Sequence, residues 1–267
     1  MAAPVRLGSA LRSQTRLTSR PVELQPLQTS RVSTNRASVL HQAGRTYLVK
    51  RYTGDLPGER LACEKLSLGV WADAGFKVPA VSTLEIPELR GTEHLVIEFL
   101  NGPTLQDRLK DNAVGIDEKW ELLSRILADN CRRQSQAIAR REPRLLHPDP
   151  NSSNIICVDH EHYFIDFETT VPAGDLEDAA AVETAKFLRW TARDIGRAHL
   201  PEIARHAAAA YRDNADTLQR IVTRTCDRPF QWFHRWHDRR RKQRQPGEVT
   251  KYDIADALAS ALRSFRS

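Results

Sequence analysis

The sequence predicts an α+β fold with two unequal lobes, a small β-rich N-terminal lobe and a larger helical C-terminal lobe. Strand patterns dominate residues 32–100, whereas helical patterns dominate from residue 104 onward. At 267 residues the chain is long enough to bury a substantial core. We therefore expect a basic, flexible tail over residues 1–31, an N-lobe over 32–100 and a C-lobe over 101–267.

The N-lobe is predicted from two strands, a helix and a third strand. Strand-forming residues over 37–40 and 46–52 flank a glycine-containing turn, as in a β-hairpin. Residues 59–75 place apolar side chains on one helical face and end at a glycine. The apolar run HLVIEFL over 94–100 then predicts a buried strand, and the residues up to 103 connect the lobes.

The C-lobe is predicted as mostly helical. Thr104 can cap a short helix, and residues 117–140 form a long amphipathic helix. A loop then leads to two short strands, over 155–158 and 163–165. From residue 176 the pattern is helical to the end of the chain, interrupted by prolines.

Charge is unevenly distributed along the chain. The net charge is +6, yet residues 1–50 carry +7, residues 51–219 carry −8 and residues 220–251 carry +7. Basic ends either keep the chain soluble or meet an anionic partner, and the pattern favours neither. The arginine-rich segment 235–244, with tryptophans beside it, raises similar alternatives. It docks on anionic membrane lipid or nucleic acid, or its aromatic side chains pack in the helical lobe, and the packing is the more expected.

The cysteines and the hydropathy bear on the compartment. Four cysteines lie far apart without a CxxC pair, so we expect reduced thiols in the cytoplasm rather than a disulfide scaffold or a zinc finger. No run approaches 18 apolar residues, so we expect no transmembrane helix, and any membrane contact would be peripheral at the inner membrane. The arginine-rich N-terminus is better explained as a plain tail than as a transit peptide.

The strongest local signal for chemistry is a loop and the hairpin after it. Asn154 follows Asp149 by five residues, and Asp166 comes directly after a predicted strand. One carboxylate can accept a proton from an attacking hydroxyl, while an amide oxygen and a second carboxylate can hold Mg²⁺ against nucleotide phosphates. The alternative is that Asp-Pro-Asn-Ser-Ser-Asn is only a turn, which these residue types also favour.

A lysine and a glutamate in the N-lobe complete the set. Lys50 lies near the end of a predicted strand, and Glu64 lies on the following helix. In phosphoryl transfer a strand lysine binds the α- and β-phosphates, and a helix glutamate orients it. Both could instead be solvated surface residues, and Glu59 competes as the partner of Lys50. We expect Glu64, because it lies deeper in the apolar face of the helix.

Taken in order, these residues resemble the protein-kinase-like superfamily in its compact bacterial branch. That branch includes aminoglycoside phosphotransferases, choline phosphotransferases and lipopolysaccharide kinases. The segment Leu48-Val49-Lys50-Arg51-Tyr52 is similar to the "vKRY" strand of the lipopolysaccharide kinases. Asp149-x-Asn151-x-x-Asn154-Ile155 is similar to the "DLNxxNIL" motif of Kdo kinases. The resemblance covers about residues 32–190, and it is specific for the superfamily but only suggestive for the substrate.

The resemblance implies a bilobal protein-kinase-like fold with ATP and Mg²⁺ as cofactors. It also implies a role for each site residue. In that pattern Asp149 is the base, and Asn154 and Asp166 are the Mg²⁺ ligands. Lys50 binds the phosphates with Glu64 as its partner, the backbone of Glu98 and Leu100 contacts adenine, and the phosphate-covering loop holds Ser33, Thr34 and Asn35.

Several features depart from the pattern of the superfamily. The phosphate-covering loop contains no glycine. Pro148 and Pro150 flank the implied base, where they fix φ and remove N–H donors. Asn151 stands where Ser/Thr protein kinases carry a lysine, which argues against a protein substrate. Glu168 stands where those kinases carry a glycine, as in many small-molecule phosphotransferases.

We therefore expect a kinase that uses ATP and Mg²⁺ to phosphorylate a hydroxyl of a small molecule or of a lipopolysaccharide-type sugar on a glycolipid. Two alternatives stay open, a Ser/Thr or RNA-linked kinase and a non-catalytic binding module that keeps the kinase fold. A nucleic-acid-binding protein is the weakest interpretation, because it leaves the ordered set of site residues unexplained.

Overall fold

The computed structural model describes residues 23–27, 35–172, 174–226, 236, 240 and 247–264. Most of the predicted tail, most of the basic segment 235–244, and both Ser33 and Thr34 lie outside these residues. The described residues form the predicted α+β fold, with a small antiparallel sheet in the N-lobe and a larger helical C-lobe. No helix among them is both long and apolar enough to cross a bilayer.

In the described part of the chain, the N-lobe sheet has four antiparallel strands in chain order. They are β1 (Leu24–Pro26), β2 (Arg36–Gln42), β3 (Arg45–Arg51) and β4 (His94–Glu98). The β2–β3 turn uses Ala43 and Gly44, both at positive φ (50° and 73°), which matches the right-handed twist of a tight hairpin. The central position of β3 gives its residues hydrogen-bonded neighbours on both sides.

The sheet begins earlier than the sequence predicts. Strand β1 pairs with β2 in the register Leu24–Leu40, inside the segment 1–31 that we expected to be a flexible tail. The expectation is wrong at these residues, because backbone pairing holds the strand against β2. The pairing continues one residue past the strand, where the Leu27 N–H donates to the Ala37 carbonyl at 2.9 Å. Three residues, Leu-Gln-Pro, carry no alternation from which a strand could be predicted.

Helix α1 (Pro57–Asp73) crosses from the sheet to the C-lobe. Proline at its first position suits a helix start, and Gly75 at φ 80° ends the turn that follows it. The inner face buries Glu64, Leu68 and Trp71, and Trp71 has no exposed surface. Because Trp71 belongs to the main core of the C-lobe, α1 is fixed to that lobe as well as to the sheet.

The C-lobe surrounds one large apolar core. Among the residues that the structure describes, a two-stranded sheet and six helices build it: β5 (Ile155–Val158), β6 (Glu161–Phe164), α2 (Leu105–Lys110), α3 (Ile116–Arg140), α4 (Leu176–Ile195), α5 (Leu200–Ala210), α6 (Ala215–Cys226) and α7 (Lys251–Ser264). A smaller cluster in the N-lobe packs Leu40, Val49 and Val96 between sheet and loop.

The connector between the lobes is held tightly against the β5–β6 hairpin. A Cβ atom at Gly102 would lie 2.0 Å from the carbonyl oxygen of Cys157, so only glycine fits there. The Cys157 N–H in turn donates to the Pro103 carbonyl at 2.8 Å. Thr104 then caps α2 in a reciprocal capping box with Asp107, as the sequence predicts for this helix start.

Candidate active site

The centre of the candidate site is the ammonium group of Lys50 on β3. Its Nζ lies 2.7 Å from Oε2 of Glu64 on α1, so the structure pairs Lys50 with Glu64 and not with Glu59. The Tyr52 hydroxyl donates to the same Glu64 oxygen at 2.5 Å. Tyr52 lies two residues beyond Lys50, directly after the end of β3, and this spacing continues the alternation of the strand and puts both side chains on one face.

Electrostatics keep this lysine charged. Burial alone would lower the pKa of Lys50, but the carboxylates of Glu64, Asp166 and Glu168 outweigh it and raise the pKa above its ordinary value. Burial raises the pKa of Glu64, and the nearby Lys50 ammonium opposes that rise. The Tyr52 pKa is raised by burial and by the Glu64 charge, which keeps its hydroxyl a donor.

Two acidic residues of the C-lobe reach the same lysine across the interlobe cleft. Asp166 Oδ1 lies 3.1 Å and Glu168 Oε1 lies 2.5 Å from Lys50 Nζ. Asp166 adopts φ 74°, a left-handed conformation that is unusual for a residue with a side chain and is typical of functional sites. The oxygens of Glu64, Asp166 and Glu168 lie within 4.8 Å of one another, but Lys50 lies among them and takes the place of a cation.

Glu168 is tied to the N-lobe by more than Lys50. Arg60 of α1 donates to its Oε2 through Nε at 3.0 Å and also through Nη2. The Asn35 amide donates to its Oε1. The sequence implies that Asn35 contacts phosphate, whereas in the structure its amide is engaged by Glu168. The carboxylate of Glu168 therefore lies where the lysine would meet a phosphate.

The loop that carries Asp149 is fixed from below by His147. The Asp149 N–H donates to Nδ1 of His147 at 3.2 Å, and Nε2 of His147 lies 3.0 Å from the Ile165 carbonyl. Burial, with the charge of Arg133 nearby, lowers the His147 pKa to about 3. The ring is therefore neutral and can accept at Nδ1 while it donates at Nε2.

Asn154 orders the other side of the loop. Its amide nitrogen donates to the Asp149 carbonyl at 3.0 Å and to the Asp149 carboxylate at 3.2 Å. The Ile165 N–H donates to the Asn154 carbonyl at 3.0 Å, which brings Asp166, the next residue, beside this loop. The Asp149 side chain is thus oriented by a neighbour while the residue itself stays exposed.

A buried ion pair supports the start of the loop. Arg133 of α3 has no exposed surface, pairs with Glu183 of α4 and donates to the Leu145 carbonyl. Its guanidinium lies over the ring of Trp71, 4.4 Å from the centroid. The Trp71 indole donates to the Arg144 carbonyl at 2.7 Å, so α1, α3 and α4 all hold the segment just before His147.

The connector has fewer free backbone groups than the resemblance implies for adenine. The Glu98 N–H already donates to the Ala80 carbonyl at 2.8 Å. The Leu100 carbonyl accepts from the Gly102 N–H at 3.2 Å. Within the described residues no hydrogen bond uses the Leu100 N–H. Of the backbone groups implied for adenine, the Leu100 N–H therefore stays available to a ligand within the described residues.

Asn154 and Asp166 fit the magnesium ion that the resemblance implies. The Asp166 side chain is 42% exposed, and only one of its oxygens is bonded to Lys50. The Asn154 amide nitrogen is used by Asp149, which leaves the amide oxygen with only a 3.5 Å contact from Ser153. Oxygen atoms of carboxylates and amides are the ligands that Mg²⁺ prefers.

Sequence reasoning missed three residues that build this site. Tyr52 could have been found from its two-residue spacing to Lys50 on a strand. Arg60 could have been found because it lies four residues before Glu64 and so shares its helical face. Arg133 carries no such signal, since its partner Glu183 is 50 residues away in the chain.

Comparison with known proteins gives limited information. No protein-family model matches the chain, and no curated protein matches it in sequence. Among solved structures, the chain is similar to that of WaaP in complex with acyl carrier protein. The two share 16% identity over 74% of this chain and 86% of that chain, with a TM-score of 0.47. Similarity at this level carries no information about activity, which has to be inferred from the cleft itself.

Proposed function

We propose that the protein is a phosphotransferase that uses ATP and Mg²⁺ to phosphorylate a hydroxyl group. The observation that carries the proposal is the position of Lys50, 2.7 Å from Glu64 of the N-lobe and 3.1 Å from Asp166 of the C-lobe. A charged lysine, held by a helix glutamate and facing an exposed carboxylate across a cleft, is suited to bind nucleotide phosphates.

Each residue of the cleft has a separate role in this proposal. Lys50 binds the phosphates as a fixed positive charge, and Glu64 with Tyr52 orients it. Asp149 accepts the proton of the acceptor hydroxyl, and Asn154 holds its carboxylate in place. Asn154 and Asp166 would hold Mg²⁺, which neutralises phosphate charge during transfer.

The acceptor class follows from weaker signals and is part of the same proposal. The vKRY-like strand around Lys50 and the motif from Asp149 to Ile155 favour a lipopolysaccharide-type sugar or another small molecule. Asn151 caps the turn after Asp149 by accepting from the Ser153 N–H at 2.9 Å. A neutral amide at this place, where Ser/Thr protein kinases carry a lysine, favours a non-protein acceptor. The proposed place of action is the cytoplasm, with peripheral membrane contact where the acceptor is a glycolipid.

One observation favours a second candidate, a non-catalytic module that keeps the kinase fold. The Glu168 carboxylate lies 2.5 Å from Lys50 Nζ and is also held by Arg60. A phosphate has to displace this carboxylate before it reaches the lysine. A module in which the displacement never occurs would retain the fold and bind no nucleotide.

Transfer of the γ-phosphate from ATP separates the two candidates. We expect Mg²⁺-dependent ATP turnover by the full chain, and a decrease of about a thousandfold in Asp149→Asn, because general-base catalysis contributes about 10²- to 10⁴-fold. ATP affinity should change little in this variant. Asp73→Asn, an exposed aspartate at the end of α1, is the matched control. Equal turnover in wild type and Asp149→Asn would refute the assignment of the base.

A further inference from the structure

A cavity of about 420 Å³ lies against the loop that carries Asp149. Pro148 and Pro150, the neighbours of Asp149 on both sides, line it together with His147. The opposite walls come from residues 169–172, which follow Glu168, and from α4 and α6. A molecule in this cavity is therefore next to the proposed base.

Helix α4 runs along the loop from one end to the other. Near the start of the loop, Glu183 pairs with Arg133, which donates to the Leu145 carbonyl. At the far end, Ser152 donates to Asp194. Lys186 lies on α4 between these two anchor points and lines the cavity. The helix rise of about 1.5 Å per residue puts it some 10 Å along α4 from Ala179, which also lines the cavity.

The walls combine apolar surface with one available positive charge. Pro148, Pro150 and Val182 supply apolar contacts. Both lining carboxylates are neutralised, since Glu183 pairs with Arg133 and Asp178 lies 2.5 Å from Arg224. The exposed ammonium of Lys186 makes no hydrogen bond or ion pair with any residue that the structure describes. The lining as a whole is formally neutral, with Asp178 and Glu183 against Lys186 and Arg224, and Lys186 is the lining charge that no described residue pairs with.

We propose that this cavity binds the acceptor, that the acceptor is an anionic alcohol such as a sugar acid or a phosphorylated polyol, and that Lys186 binds its negative group. The inference rests on the proposed phosphotransferase function. The acceptor oxygen forms a bond to the γ-phosphorus while the bond from that phosphorus to the β–γ bridging oxygen breaks. The hydroxyl proton passes to Asp149, and ADP leaves.

The test compares charged and neutral acceptors of the same shape. D-glucuronate and D-glucose form one pair, and glycerol 3-phosphate and glycerol form another. Binding to the full chain with Mg²⁺ and a non-hydrolysable ATP analogue is measured by saturation-transfer NMR, and phosphate transfer is measured with labelled ATP. We expect the anionic member of each pair to bind roughly five- to tenfold more tightly.

Variants of Lys186 show whether the preference comes from this residue. Lys186→Met should abolish the preference, Lys186→Arg should keep it, and Lys65→Met, an exposed lysine on α1, should leave it unchanged. Transfer of labelled phosphate from ATP to phosphatidylglycerol vesicles distinguishes a membrane-borne acceptor from a soluble one. Lys186→Met should reduce transfer to either acceptor.

Three results would overturn the inference: equal binding of charged and neutral probes, a preference that survives in Lys186→Met, or no binding of either anionic probe at tens of millimolar. These failures are distinct from failure of the proposed function. If the ATP analogue binds with Mg²⁺ but the anionic preference is absent, only the inference about the acceptor is lost. If the analogue does not bind at all, the proposed function itself is refuted.

Discussion

The two walls of the cleft are held by different kinds of interaction. The proposed nucleotide wall consists of Lys50 and the carboxylates of Glu64, Asp166 and Glu168, whose oxygens lie 2.5–3.1 Å from Lys50 Nζ. The proposed acceptor wall, formed by the loop from His147 to Pro150, exposes one carboxylate and rests on buried groups. Its supports are a neutral histidine and the packed pair of Arg133 and Glu183 beneath it.

The nucleotide wall therefore depends on where charges are placed, whereas the acceptor wall depends on how buried groups pack. On the proposed function, the nucleotide wall presents a positive charge to phosphates, so its residues are charged. The acceptor wall holds one carboxylate still and borders a cavity, and apolar walls with buried supports do this.

The largest expected effect is that of removing the buried ion pair that supports the acceptor wall. Arg133→Met leaves Glu183 buried without its partner, and we expect a loss of about 3 to 5 kcal/mol in the free energy of unfolding. Urea unfolding followed by circular dichroism measures it. Arg132→Met is the matched control, because Arg132 is exposed and pairs with Asp129 at the surface, and it should change stability by less than about 1 kcal/mol.

A double variant tests whether the lost pair is the cause. Replacing both Arg133 and Glu183 by methionine removes the unpaired charge, so most of the lost stability should return. If the double variant is as unstable as Arg133→Met, then the contacts of Arg133 with Trp71 and the Leu145 carbonyl hold the loop, and the ion pair does not.

A smaller effect concerns the pH dependence of the same wall. The His147 pKa is about 3 in the folded protein and near 6.5 in an unfolded chain, so only the unfolded chain binds a proton between these values. Stability from His147 is complete above pH 6.5 and falls on acidification. Between pH 7 and pH 5 the loss is about 2 kcal/mol.

Unfolding at both pH values in wild type and His147→Gln isolates this contribution. The variant should lose about 2 kcal/mol less than wild type over the same interval, whatever its stability at pH 7. Parallel losses in the two proteins would show that His147 is not held neutral. His206→Gln, which removes a half-buried histidine of α5 outside the cleft, gives a comparison for a weaker shift of the same sign.

The smallest expected effect concerns Glu168 in the nucleotide wall. Glu168→Gln removes one negative charge from the group around Lys50, and unit charges several ångströms apart at partly exposed positions interact by roughly 1 to 2 kcal/mol. We expect ATP without Mg²⁺ to bind about tenfold more tightly by calorimetry. Glu59→Gln, an exposed neighbour of Arg60, should have no effect. Weaker binding in Glu168→Gln would mean that this carboxylate assists the nucleotide.

The sequence predicted the nucleotide wall better than the acceptor wall. The two lobes and the pairing of Lys50 with Glu64 were both expected from strand and helix patterns. Local spacing was sufficient because each of these groups lies at the end or on the face of one regular element. The roles of these residues in catalysis stay predictions.

Other parts of the structure could not be predicted from spacing. Strand β1 exists through backbone pairing of three unpatterned residues. Arg133 and Glu183, 50 residues apart, meet only because α3 and α4 pack together. The engagement of Asn35 by Glu168 joins residues 133 apart. Contacts of this kind depend on the tertiary fold, which local patterns do not contain.

The most direct test of the central claim is thermal unfolding of wild type, Asp166→Ala and the exposed control Asp55→Ala with ATP, in the presence and absence of Mg²⁺. A ligand that binds only the folded state raises the melting temperature, by about 5 °C at a hundred times its dissociation constant. We predict a Mg²⁺-dependent rise in wild type and Asp55→Ala that is lost in Asp166→Ala. An equal rise in Asp166→Ala, or no rise in any of the three proteins, would contradict the assignment of this cleft as a nucleotide site.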